Sequence, residues 1–63
     1  AAISLSQATE AELDKLPGVG PATAKKIIEY RSQHGRFQTV DDLMNVKGIG
    51  PKKMEKIRPF VVP

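Results

Sequence analysis

Two pairs of glycines hold the chemistry that this chain has to offer. In Leu16-Pro17-Gly18-Val19-Gly20-Pro21, and again in Val46-Lys47-Gly48-Ile49-Gly50-Pro51, the glycines flank one apolar residue and a proline follows. Glycine permits the positive φ that a sharp turn needs, and it leaves the backbone N–H groups bare enough for close approach. Proline suits the first position of a helix, where its missing N–H is no loss. A glycine turn running straight into a helix aims several unpartnered N–H donors at one spot, and the macrodipole adds roughly half a positive charge there. This is anion chemistry, suited to holding a phosphate oxygen by backbone alone. A contact of that kind reads charge and shape but no base edge.

The side chains beside the two turns sharpen the expectation. Thr23 and Lys53 occupy equivalent places in the first turns of the following helices, with Lys52 and Lys47 close by. A lysine at a helix N-terminus costs a few tenths of a kcal/mol, so its presence is better explained by a bound anion than by helix stability. The first turn offers Ala22 and Thr23 where the second has Lys52 and Lys53, so the second is expected to carry more of the attraction. Lys26 and Lys56 stand within reach of flanking phosphates. They and Lys25 also fit plain solvated faces. Arg36 and Arg58 fit either a wider basic surface or solvating charge near helix ends. Val19 and Ile49, at the tips, either pack inward to hold the turns or lie against sugar in a shallow groove. The candidate contact set is therefore Gly18, Val19, Gly20, Ala22, Thr23 and Lys26 on the first side, and Lys47, Gly48, Ile49, Gly50, Lys52, Lys53 and Lys56 on the second.

Enzymatic chemistry finds little to work with. His34 is the only histidine and falls at a predicted helix C-terminus, where an imidazolium suits the dipole. Cysteine is absent, so there is neither a thiol nucleophile nor a thiolate metal site. Asp41-Asp42 follows Thr39 closely enough to be first-turn charge. A Schiff-base lysine needs a desolvated pocket, and 63 residues leave little room for one. No cofactor, metal or small-molecule substrate is expected.

The charge is uneven. Residues 1–20 hold Glu10, Glu12, Asp14 and Lys15, a sum of −2, whereas residues 21–63 hold nine basic and four acidic residues, a sum of +5. An acidic start on a basic domain fits one face turned to a polyanion. No apolar run approaches the roughly 18 residues of a membrane span. The start, Ala1-Ala2-Ile3, lacks the charged and apolar regions of a signal peptide.

The elements that must position the turns follow from local signals. Ile3-Ser4-Leu5 alternates and reads as a short extended lead-in that offers Leu5 to the core. Thr9-Glu10-Ala11-Glu12 has capping-box spacing, so a helix begins near residue 10, with Leu13 and Leu16 on one face until Pro17-Gly18 stops it. Pro21 opens a helix running to about His34, with Ala24, Ile27, Ile28 and the stem of Arg31 on one stripe. Gly35 is placed to end it as a left-handed cap. A second box, Thr39 to Asp42, opens a short third helix bearing Leu43, Met44 and Val46. Pro51 starts a fourth, with Met54 and Ile57 inward, and Pro59 ends it. Phe60-Val61-Val62 is expected to fold back as an apolar lid, and Tyr30, Phe37 and Phe60 to be core rather than stacking platforms.

A shift of thirty aligns Thr9 with Thr39, Leu13 with Leu43, Leu16 with Val46, both glycine pairs, Pro21 with Pro51, Lys26 with Lys56 and Ile27 with Ile57. One helix-hairpin-helix cannot close its own apolar face. Two copies related by a pseudo-twofold and sharing one core are the economical arrangement. The predicted fold class is thus all-α, a single domain over 1–63 with four to five short helices, a first helix-hairpin-helix over 9–34 and a second over 39–58.

With these residues in view, the chain resembles the helix-hairpin-helix domain of ComEA-type competence proteins over almost all of Ile3 to Val62. The likeness rests on Ile3-Ser4-Leu5-Ser6-Gln7-Ala8, on Leu16 to Pro21, on Ala24 with Ile27-Ile28-Glu29-Tyr30-Arg31, on Gly35-Arg36-Phe37, and on Asp41-Asp42-Leu43 through Val46 to Gly50. The resemblance implies a tandem domain of the SAM-like, RuvA domain 2-like class that binds double-stranded DNA through its backbone, without sequence preference. It also implies a place outside the cytoplasmic membrane, periplasmic or at the cell surface, with DNA-uptake machinery as a further partner. The family usually carries Asn at the positions of Ser4 and Ser6, and often Lys at that of Thr23. Two other readings stay open. One is a helix-hairpin-helix domain that docks a protein and ignores DNA, and the other is an accessory module of a DNA repair enzyme, which would be cytoplasmic.

Overall fold

A computed structural model describes residues 2–63; Ala1, part of the start read for leader features, lies outside it. In chain order the elements are strand β1 (Ile3–Ser4), helix α1 (Glu10–Asp14), helix α2 (Pro21–His34), a 3₁₀ helix (Val40–Asn45), helix α3 (Pro51–Ile57), a 3₁₀ turn (Arg58–Phe60) and strand β2 (Val61–Val62).

The helix starts lie where their caps predict. The Thr9 N–H donates to Glu12 Oε1 at 2.9 Å, and Thr9 Oγ1 accepts the Glu12 N–H at 3.2 Å. These bonds to Thr9, the backbone one first, hold the Glu12 carboxyl below its ordinary range. Gly20 and Gly50 are extended N-caps, and Pro21 and Pro51 stand at the first helical positions.

The short third helix forms where its box places it, as a 3₁₀ helix closed by Asp42 N–H to Thr39 O at 3.2 Å and Val46 N–H to Leu43 O at 3.0 Å, and two other local expectations are corrected. Its six residues are pinned at the start by Asp42, whose carboxylate accepts the N–H groups of Gln38 and Thr39. A segment so short favours i→i+3 closure over another α turn. Gly35 has positive φ, +83°, but its ψ of −166° is extended rather than left-handed helical. The chain leaves α2 extended because Phe37 must reach the core, where its N–H donates to Ser6 Oγ at 2.8 Å. Ser6 thus ties the lead-in to the end of α2.

The second correction concerns the C-terminal lid. Only Val61 enters the core, while Phe60 is 52% exposed and Val62 44%. Residues 61 and 62 form a strand, in which successive side chains point to opposite faces, so adjacent residues cannot all turn inward. β2 pairs in parallel with β1, Ile3 opposite Val61 and Ser4 opposite Val62. Leu5 N–H continues the ladder to Val62 O and Ser6 N–H to Pro63 O, each at 2.9 Å.

The core repeats as the sequence does. Leu13 and Leu43, Ala24 and Met54, and Ile27 and Ile57 are all fully buried, and Leu16, Val46, Val19 and Ile49 nearly so. Leu5, Ala8, Phe37 and Val61 complete the cluster, with Ile28 and Tyr30 packed against its edge. α1 lies against α2, and the Arg31 guanidinium on α2 donates to Leu5 O at 2.9 Å. No polar side chain is buried among the described residues, so the site must lie on the surface.

Candidate nucleic-acid interface

The two glycine turns share the same pattern of backbone angles and closing bonds. Gly18 has φ +77° and Gly48 φ +98°, a region that strains any side chain. The second glycines are alike, Gly20 at φ −100°, ψ −175° and Gly50 at φ −100°, ψ −176°. Each tip is closed by one bond across the turn, Val19 N–H to Leu16 O at 3.0 Å and Ile49 N–H to Val46 O at 3.1 Å. Each helix then opens with a bond to its N-cap carbonyl, Ala24 N–H to Gly20 O and Met54 N–H to Gly50 O, both at 2.9 Å.

Those bonds account for part of each turn's donors and leave the rest. The N–H groups of Gly20, Ala22 and Thr23, and of Gly50, Lys52 and Lys53, find no acceptor among the described residues. At Gly20 and Gly50 a Cβ would meet nothing within 4 Å, so the approach to these donors is open. Each turn therefore offers a small set of N–H donors at the positive end of a helix, an arrangement suited to a phosphate oxygen.

The candidate side chains divide by placement. Val19 and Ile49 pack inward, the first of their two expected placements, so their side chains hold the turns from within. Lys26, Lys47, Lys52 and Lys56 are exposed, as is Ala22, while Thr23 and Lys53 are half-buried. Arg58 is paired with Asp41 at 2.6 Å on the surface, which neutralises its charge locally.

Lys53 departs from the expected arrangement. A Cβ built on Gly18 would lie 3.6 Å from Lys53 Cγ and 3.7 Å from its Cδ and Cε. Lys53, in the first turn of α3, thus lays its stem over the other turn, and the two hairpins are neighbours. The first turn, which has Ala22 and Thr23 in place of lysines, gains a positive charge from the second repeat. The reverse contact is missing, since nothing lies within 4 Å of a Cβ on Gly48. The residue equivalent to Lys53 is Thr23, and its side chain is shorter. No sequence signal marks this crossing, because it depends on how the pseudo-twofold sets one repeat against the other.

On the flank of the second turn, α2 and the 3₁₀ helix are tied by Asn45 Nδ2 donating to Tyr30 Oη at 3.1 Å. The Tyr30 ring stacks on Phe37, centroids 5.3 Å apart, and leans on His34 at 4.4 Å. His34 is exposed, in α2's C-terminal turn. No cluster of three or more His, Cys, Asp or Glu side chains able to hold a metal occurs among the described residues.

Comparison with known proteins agrees with this architecture. The model of the helix-hairpin-helix motif matches residues 1–62. The chain is 48% identical over 61 residues to ComE operon protein 1 of Bacillus subtilis, covering 97% of this chain and 30% of that protein. It is 45% identical over 56 residues to the human endonuclease/exonuclease/phosphatase family domain-containing protein 1, covering 89% of this chain and 10% of that protein. An uncharacterized protein of Haemophilus influenzae is 36% identical over 61 residues, 95% of this chain and 54% of the relative. The chain thus spans about half or less of the length of these relatives. With a doubled glycine turn, a core that repeats with it and a match along nearly its whole length, the chain belongs to the helix-hairpin-helix family, as a domain of the ComEA type.

Proposed function

We propose that this domain binds double-stranded DNA without sequence preference, by holding a backbone phosphate at each hairpin, and that it serves as the receptor module of a DNA-uptake system. The observation that carries the reading is the doubled set of unpartnered N–H donors, three at Gly20, Ala22 and Thr23 and three at Gly50, Lys52 and Lys53. Lysines beside them would be a liability without an anion to meet. Lys53, bridging the turns, answers the charge of a phosphate at the first as well as the second. The likeness to ComE operon protein 1 supports a role in competence, with the domain in the periplasm or on the cell surface and the uptake machinery as its protein partner. The domain itself performs no catalysis on the DNA in this reading.

Fluorescence anisotropy of a random-sequence duplex across a salt series tests it. With about four to six phosphates neutralised, log affinity falls with log salt at a slope of about −0.9 per phosphate. A second duplex of unrelated sequence should give the same line. A flat salt dependence, or no binding at low salt, overturns the reading and favours a protein-docking domain. The 45% identity to a protein named for an endonuclease/exonuclease/phosphatase domain favours one second reading, an accessory DNA-binding module of a processing enzyme. That reading predicts the same duplex binding, with the parent protein in the cytoplasm, so cell fractionation of the parent separates the two.

A further inference from the structure

The thirty-residue repeat supplies an internal control for the surface beside each hairpin. An open groove of about 320 Å³ runs between the outer face of α2 and the Asn45–Lys47 turn. Its counterpart under the repeat, of about 250 Å³, lies beside Lys15, Leu16 and Pro17. The counterpart is apolar: Leu16, Pro17, Ile3 and the exposed ring of Phe60 face it, with Lys15 at its edge. The groove beside the second hairpin is polar and basic. Tyr30 stands where the other has Phe60, Asn45 where it has Lys15, and Lys47 where it has Pro17. Lys26 from α2 and Lys47 from the turn bring cations from opposite walls, Gln33, Asn45 and His34 add hydrogen-bonding groups, and Glu29 is the only carboxylate.

The geometry points to this groove as a third phosphate subsite, which takes a phosphodiester of the same DNA strand beyond the one held at the second hairpin. The inference rests on the proposed DNA binding and extends it to Gln33, His34 and Asn45, which no hairpin signal marks. Lys47 adjoins Gly48, so the groove opens beside the second turn. Lys26 and Lys47 both line the channel and are exposed, so an anion lying in it meets both charges. The Asn45–Tyr30 hydrogen bond at 3.1 Å and the stacking of Tyr30 on Phe37 fix the wall, so the site is formed before DNA arrives. The apolar counterpart offers a phosphate nothing of this kind, so the two hairpins differ most in their flanks.

The test pairs a titration with charge reversal in the groove. A ¹⁵N-labelled sample titrated with a random duplex should shift the side-chain amides of Asn45 and Gln33 together with the backbone amides of Gly50 and Lys52. Gln33→Glu should weaken duplex affinity about tenfold at low salt. It should also lower the magnitude of the salt slope by about 0.9, one phosphate's worth. Gln7→Glu, the same change on the opposite end of the chain, should alter affinity by less than about twofold. If hairpin amides shift while Asn45 and Gln33 stay still, or if the two glutamate variants behave alike, the groove is not a subsite and the hairpin reading stands. If no resonance shifts and no duplex binds, the DNA reading fails, and the subsite with it.

Discussion

At the scale of single residues, the glycines of each hairpin have different duties. Gly18 and Gly48 are required by the backbone, whose φ of +77° and +98° strains any other residue. Gly48→Ala should therefore cost about 1–3 kcal/mol of stability, read from urea unfolding. Gly20 and Gly50 have ordinary φ and open space where a Cβ would go, so alanine there should leave stability unchanged. What alanine removes is the bare approach to the N–H donors, and duplex affinity should drop. Those two variants also locate Lys53. Its stem lies over Gly18 while its own N–H belongs to the second turn, so Lys53→Ala should couple in duplex affinity to Gly20→Ala as well as to Gly50→Ala, each by more than about 0.5 kcal/mol. Coupling to Gly50 alone would return the lysine to its own hairpin.

Among elements, the caps decide where helices begin, and one of them is sensitive to pH. The Glu12 carboxylate accepts the Thr9 N–H, and its pKa is lowered on folding. A depressed carboxylate contributes stability that is fully present above the unfolded value. That stability is lost as pH falls through the folded one. Glu12→Gln, which does not titrate, should flatten the acid limb of the stability profile below the ordinary glutamate range, as measured by thermal melts from pH 7 to pH 2. An unchanged acid limb would assign the sensitivity to other carboxylates. These caps, the prolines at 21 and 51 and the positions of the glycine stops were all legible in the sequence, because each acts within four residues of itself. The stripe of Ala24 and Ile27 was legible for the same reason, through helical periodicity. The 3₁₀ form of Val40–Asn45 was not, since capping-box spacing is common to both helix types. The exposure of Phe60 was hidden too, because an aromatic near a chain end looks like core until the strand pairing fixes which way it points. For the site, the donors of both turns followed from the glycine pattern. The reach of Lys53 and the flank of Tyr30 and Asn45 required the packing of one repeat on the other.

For the whole molecule, the core alone does not join the beginning to the end. β1 and β2 meet across nearly the full length of the chain, Ile3 on Val61 and Ser4 on Val62. Val61 is the one residue of β2 that the core buries, so Val61→Ala should cost about 1–3 kcal/mol. In a domain of this size that lowers Tm by roughly 4–8 °C per kcal/mol. Val62→Ala, on the exposed side of the same strand, should change it by less than about 0.5 kcal/mol. Equal effects from the two valines would mean that the strand is held by its backbone bonds only.

The parallel pairing also gives the molecule a mechanical character. Because β1 and β2 run in the same direction, a pull applied backward at Ile3 and forward at Val62 drags the strands past each other instead of peeling them apart. The bonds from Leu5 N–H to Val62 O and from Ser6 N–H to Pro63 O then share the load with the ladder and must fail together. Tension applied across the two ends of the domain therefore meets its resistance in this clasp, where those ends lie side by side.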